Sequence, residues 1–184
     1  MGQTKILLDT NTYLRLAQSI HPLLGIQFGK KKLTLYIHKE IEIELKRSPR
    51  LQSKFTWIWQ EEYVDNRKKR FVISKQKQAD IEITYEHIWQ YQKDSGLSLL
   101  REDIYCIATT LEEDVQLVTD DQDMIKNCKE FGVTVLSTLQ LLRLMLDNKR
   151  IDTTIVKQII DYWKYEKDLP ANFRNEFSKL FPKL

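Results

Sequence analysis

Residues 101–124 read REDIYCIATTLEEDVQLVTDDQDM, and the rest of the chain is arranged around them. Asp103 stands at the start of a helical run in which Leu100, Ile104, Ile107, Ala108 and Leu111 share one apolar stripe. A strand-like segment follows, carried by Val115, Leu117 and Val118, and closes in the acids Asp120, Asp121 and Asp123. A helix and a strand packed side by side bring Asp103 to that acidic end in space. Carboxylates gathered there repel one another unless protons or cations intervene. A divalent metal with hard oxygen ligands is the simplest remedy.

Working outward towards the N-terminus, Lys5 to Leu8 form a short apolar run that reads as a buried first strand, closed by Asp9, Thr10 and Asn11. Asp9 then sits at a strand's carboxyl end, where open α/β sheets place their ligands. It reads equally as the cap of the next helix, whose face holds Tyr13, Leu14, Leu16 and Ala17, and this segment alone does not choose. His21 and Pro22 open a second helical stretch that ends at Gly29 and the basic run Lys30 to Lys32. Leu33, Leu35 and Ile37 alternate with polar neighbours as a strand with one core face. In KEIEIELKRSPR the acids Glu40, Glu42 and Glu44 fit either a strand or a helix. Strong helix formers favour the helix, with Glu40 and Glu44 on one face and Pro49 as its end.

Between Leu51 and Asn66, the residues Phe55, Ile58, Trp59 and Tyr63 recur at helical spacing as a core stripe, with Trp57 off that face as a contact surface. The block Arg67, Lys68, Lys69 and Arg70 is a solvated turn, or a clasp for phosphates where it borders the acids. Glu82 to Tyr91 is helical, Gly96 breaks the chain, and Ser98 opens the helix of Asp103. Beyond the acids, Gln122 to Phe131 reads as a helix stopped by Gly132. A strand (Val133, Val135, Leu136) and a helix (Thr138 to Leu146) follow. Strands alternating with helices imply a mainly parallel sheet covered on both faces, an α/β architecture. The tail is helix only, Ile155 to Tyr165 and Ala171 to Leu180, too short to bury a core alone. Residues 1–146 are therefore expected as one domain and residues 147–184 as a helical extension packed on it.

Composition excludes several classes. With 184 residues, 42% hydrophobic and 30% charged, the chain is core-forming rather than disordered. A net charge of +3 permits a nucleic-acid partner without requiring one. Cys106 and Cys128 form neither a metal nor a redox spacing, so a reducing, cytoplasmic compartment is expected. The apolar start turns polar too soon for a signal peptide, and no run is long enough to span a membrane.

LLDTN around Asp9, IEIEL around Glu44, REDIYCIA around Asp103 and LVTDDQDM around Asp121 resemble the successive motifs of PIN-domain (PilT N-terminus-like) nucleases, VapC-like toxins among them. GVTVLSTLQLL resembles the strand and helix that close such domains, so the likeness spans residues 5–146. The resemblance implies a three-layer α/β/α sandwich and a metal-dependent ribonuclease acting through Mg²⁺ or Mn²⁺. On the matching positions Asp9, Glu44, Asp103 and Asp121 would be the catalytic acids. Asp9, Asp103, Asp121 and Asp123 would be the metal ligands, with Asn11 and Thr119 as polar supports. Asp120 is given no role. The resemblance further implies RNA as substrate, an antitoxin protein as partner in a toxin–antitoxin setting, or an RNA-processing role, and a homodimer as one use of the C-terminal helices.

In such a site, a metal-activated water attacks the phosphodiester near neutral pH, and positive charge stabilises the departing oxygen. His21, His38 and His87 are isolated and have no strong claim to base work. The alternative is a scaffold that kept the fold and binds without turnover. Asn11 disfavours a haloacid-dehalogenase-like phosphatase, which wants Asp there, and Tyr13 an adhesion-type metal domain, which wants a hydroxyl on Ser or Thr. DTNTYL lacks the glycine-rich turn of a dinucleotide-binding protein, and with 5 glycines in the chain phosphate-cradling loops are nearly excluded.

Overall fold

A computed structural model, describing residues 3–184, puts β1 (Thr4–Leu8) at the centre of the sheet. Within these residues five strands lie in the order β2, β3, β1, β4, β5. β3 (Leu33–Ile37), β4 (Gln116–Val118) and β5 (Val135–Leu136) continue the parallel sheet from β1, and β2 (Gln27–Phe28) pairs antiparallel at the edge. In register, Ile6 faces Leu35 and Leu8 faces both Ile37 and Val118, while Leu7 lies beside Tyr36 and Leu117. Because side chains alternate across a strand, this register sorts the apolar residues onto two faces.

Ile6, Leu8, Leu35, Ile37 and Val118 belong to one core, shared with α1 (Thr10–Ala17), α2 (Glu40–Arg47), α3 (Pro49–Lys54), α8 (Thr138–Asp147) and α9 (Thr153–Tyr165). Leu7 and Leu117 belong to the other, with α5 (Lys75–Ser95), α6 (Arg101–Glu113) and α7 (Gln122–Glu130). The molecule is thus an α/β protein with helices on both sides of a mainly parallel sheet. α10 (Phe173–Leu180) joins the first core through Phe173, Phe177 and Leu180.

Three local expectations are corrected. The stretch from His21 to Gly29 is not helical but a run of turns ending in β2. The Asn66 side chain takes the place of helical hydrogen bonds there: its Oδ1 accepts from the Leu23 and Leu24 N–H groups at 3.2 and 3.0 Å, and its amide donates to the Leu24 carbonyl at 3.1 Å. The helix expected over 51–66 is three pieces, α3, a 3₁₀ turn (Thr56–Trp59) and α4 (Glu61–Arg67), because Phe55 and Gln60 leave helical φ/ψ. Within it the tryptophans exchange roles: Trp57 is 7% exposed and packs between Phe55 and Tyr63, whereas Trp59 is 41% exposed. Pro49 does end α2, and it also occupies the first turn of α3, where a missing N–H costs nothing.

Candidate active site

Parallel strands leave all their carboxyl ends on one edge, and each is followed there by a helix. α1 starts after β1, α2 after β3 and α7 after β4, while α6 leads back into the opposite end of β4 and so brings its own N-terminus to the same edge. Four positive helix ends thus converge. Three of the four sequence-predicted catalytic acids are fixed by these ends. Asp9 caps α1, its Oδ1 accepting the Thr12 N–H at 2.6 Å, while its Oδ2 accepts the Thr119 hydroxyl at 2.5 Å. Asp103, in the first turn of α6, accepts the Leu100 N–H on Oδ2 at 2.9 Å. Asp121 caps α7 through Oδ1, which accepts the N–H groups of Asp123 and Met124 at 2.9 and 2.8 Å. Glu44, midway along α2, takes the Thr10 hydroxyl on Oε2. Asp9 is therefore a helix cap and a site residue at once, since a strand-to-helix junction serves both.

Burial and neighbouring negative charge act on these groups in the same direction. Burial pushes the Asp103 carboxyl up to about 7, and the charges of Asp9, Glu44 and Asp121 add to the rise against the Leu100 N–H. Glu44 is raised by burial and by Glu102 and Asp9, against the Thr10 hydroxyl. Asp9 is raised by burial despite its hydrogen bonds from the Thr119 hydroxyl and the Thr12 N–H. Beneath them the buried Cys106 thiol is held well above its usual range by burial and by Asp9 and Asp103. Among the described residues no lysine, arginine or histidine nitrogen forms an ion pair with Asp9, Glu44, Asp103 or Asp121.

Other predicted residues are less central. Thr119 is buried and joins Asp9 to the Asp121 N–H. Asn11 lies exposed in the first turn of α1. Asp123 is turned aside: Lys126 and the Ser98 N–H hold its carboxyl below the usual range. The basic block does not act as one unit. Arg67 is 1% exposed, bonded to Glu42, the Ile58 carbonyl and the Tyr13 hydroxyl, while Lys68 pairs with Asp65. Lys69 and Arg70 are exposed. A guanidinium already spent inside the core cannot clasp a phosphate. Asp120, given no role from sequence, pins α1 to α8 by accepting from Arg15 at 2.9 Å and from the Thr138 N–H at 3.1 Å. Thr10 and Glu102 were missed. Nothing local marks Thr10 as a partner of Glu44, whereas Glu102, beside Asp103 in the same first helical turn, was legible as a candidate.

The donor set fits a hard divalent cation: carboxylate oxygens, mutually repelling, with no ion-paired lysine, arginine or histidine among the described residues. Glu44 Oε1, Asp103 Oδ1 and Asp121 Oδ2 each lack a protein hydrogen-bond partner among the described residues. Yet among the described residues no three His, Cys, Asp or Glu side chains are gathered tightly enough to hold a metal ion as they stand. The two facts agree once distances are considered. Coulombic influence reaches well beyond a ligand bond of about 2 Å, and Asp9, Asp103 and Asp121 each spend an oxygen on a helix N-terminus while Glu44 spends one on Thr10.

No family model and no curated protein matches the chain. Among solved structures it is similar to FitAcB from Neisseria gonorrhoeae, with 17% identity and a TM-score of 0.47 over 72% of this chain and 97% of that one. It is also similar to VapBC2 from Rickettsia felis bound to a DNA fragment from their promoter, with 16% identity and a TM-score of 0.44 over 73% of this chain and 98% of that one. Likenesses this distant carry no functional argument. The expected membership in the PIN-domain, VapC-like family is accordingly corrected: the motifs match in residue type and order, but no family model supports them and the structural match is ambiguous. An apolar strand that ends in an aspartate capping the next helix arises in any parallel α/β sheet, which is why motifs so short do not establish a family. Among the described residues no helix is long and apolar enough to cross a membrane.

Proposed function

We propose that this protein is a metal-dependent ribonuclease that hydrolyses phosphodiester bonds at the carboxyl edge of its sheet, with Asp9, Glu44, Asp103 and Asp121 as the working acids and Mg²⁺ or Mn²⁺ as cofactor. The observation that carries it is the placing of Asp9, Asp103 and Asp121 at three helix N-termini on one edge of the sheet, with Glu44 tied to Thr10 next to Asp9 and none of the four ion-paired among the described residues. Burying like charges together without a counter-ion costs stability, and sites that break such a rule are commonly functional. Asp9, Asp103 and Asp121 would hold the ion, Glu44 would ligate or orient water, and Thr10 and Thr119 would keep the carboxylates aimed. A bound divalent ion would supply an ionised water near neutral pH and offset charge growing on the phosphate. The four helix N-termini favour the same negative charge from the protein side. A partner protein that presents a basic side chain to these acids would block the site, the role an antitoxin would take here.

A scaffold reading, binding without turnover, draws on one observation, that the acids do not yet form a ligand shell. One experiment separates the two. Purified protein is incubated with single-stranded RNA and, in parallel, DNA, with Mn²⁺, Mg²⁺ or chelator, beside Asp103→Asn. The ribonuclease reading expects RNA cutting that needs the metal and is lost in the variant. Absence of cutting under every condition favours the scaffold, and cutting by the variant at the wild-type rate points to a contaminant.

A further inference from the structure

An acidic site that cuts a polyanion needs cations to hold the strand, and the basic block of the sequence does not supply them as a unit. The two helices that carry Glu44 and Asp103 do. Arg47 stands three residues after Glu44 on α2, and Arg101 two residues before Asp103 on α6. The pair reaches across reciprocally: Arg47 Nη1 lies 3.9 Å from Glu102 Oε1, and Arg101 Nε lies 3.9 Å from Glu40 Oε2. Both separations exceed a hydrogen bond, and the side chains remain 67% and 54% exposed. Glu40 Oε2 is buried without a hydrogen-bond partner, so Arg101 is attracted there but not consumed. Its guanidinium rests over the Tyr105 ring, 5.2 Å from the centroid. A guanidinium seated on an aromatic ring and this exposed keeps N–H groups for an anion. On α2, Glu40, Glu44 and Arg47 follow at i, i+4 and i+7, one face of a helix. Glu40 and Arg47 are about 10 Å apart along the helix, so Arg47 and the Arg101 that approaches Glu40 flank Glu44.

We infer that Arg47 and Arg101 form a phosphate clamp that holds a single-stranded nucleic-acid backbone on both sides of the acid site. This rests on the nuclease reading above. Each guanidinium would take one phosphate in a bidentate grip, leaving the phosphate between them over Glu44 and Asp103. Neither arginine is catalytic; both position the strand.

The test uses full-length protein carrying Asp103→Asn, so that substrate survives, and a short fluorescein-labelled single-stranded RNA followed by anisotropy in Mn²⁺ across a salt series. Arg47→Ala and Arg101→Ala are each expected to weaken binding about tenfold. The slope of log affinity against log salt should fall by about 0.7 for each arginine removed. Arg101→Lys should restore the slope but not the full affinity. Thermal melting checks that the variants fold, and Arg47→Gln and Arg101→Gln replace any alanine variant that does not. If the RNA binds and wild type cleaves it, but affinity and slope ignore both arginines or follow Lys69→Ala and Arg70→Ala instead, the clamp is wrong and the nuclease stands. If the RNA binds to no form of the protein, the nuclease reading fails and the clamp with it.

Discussion

Asp103 sits where its ordinary ionisation is opposed by burial and by three neighbouring acids, which lift it to about 7. In the unfolded chain it ionises near 3.8. Between those values the unfolded state has released a proton that the folded state keeps, so stability falls as pH rises through the window. Below the unfolded value both states are protonated and the stabilising effect of low pH is complete. In metal-free protein, Asp103→Asn should therefore be more stable than wild type at pH 8, by up to ~4 kcal/mol, and the gain should shrink steadily towards pH 4. The amide oxygen still accepts the Leu100 N–H, so the cap is kept. Mn²⁺ should raise the urea midpoint of wild type far more than that of the variant. Urea titrations at several pH values, with and without metal, measure both; equal curves for the two proteins would sink the raised carboxyl.

His38 works the other way. Burial, then Lys39, holds its imidazole down to about 4, against the pull of Glu82. Its Nδ1 accepts the Glu40 N–H at 3.3 Å, and its ring stacks on Tyr105. A depressed histidine contributes stability that is complete above 6.5 and lost as pH falls towards 4. His38→Phe keeps the stacked ring and gives up the titration. The variant should lose less stability than wild type between pH 6.5 and pH 4, read from the same urea midpoints.

At the level of the elements, what was legible followed from local chemistry. β1, β3 and β4 announce themselves as apolar runs, and Asp9, Asp103 and Asp121 were found because each stands at a strand's end or a helix's start. The two-residue β2 carries too few side chains for any period to show. The broken helix over 51–66 has aromatic residues at helical spacing, but Phe55 and Tyr63 pack on Trp57, which meets Tyr13, while Trp59 turns to solvent. Most hidden were pairs whose partners lie far along the chain. Arg15, lodged between Leu14 and Leu16 on α1, ties together three elements. It bonds Asp120 after β4 at 2.9 Å and Asp168 after α9 at 3.2 Å, and its carbonyl accepts the Trp163 indole N–H at 3.0 Å. Arg15→Met removes the cation and keeps most of the bulk, leaving Asp120 with only Thr138. Truncating one partner of a largely buried pair costs about 3 kcal/mol. Adding Asp120→Asn should recover a good part of it, a non-additivity that a double-mutant cycle in urea detects. If the two substitutions simply add, Arg15 is not what neutralises Asp120.

For the molecule as a whole, the question is what the C-terminal helices do for the sheet. The apolar side of α9, made of Val156, Ile159, Ile160 and Trp163, is buried in the same core as Leu8, Leu14 and Leu142, and Phe181 after α10 completes it. The stripe they cover is too large and too apolar to meet water without consequence, since each buried side chain of this size is worth roughly 2 kcal/mol. A chain ending at Asp147 would expose α1 and α8 together and leave Asp120 with an arginine that has lost both Asp168 and the Trp163 contact. We expect that truncated chain to be recovered insoluble, or soluble only as an expanded state that binds a hydrophobic dye. The milder Trp163→Ala should fold but lose ~3–5 kcal/mol, with the carboxyl edge still intact enough to bind Mn²⁺. A truncated chain that is soluble, monomeric and unfolds with the midpoint of the full protein would show that residues 3–147 need no cover. The helices would then be free to serve a partner instead.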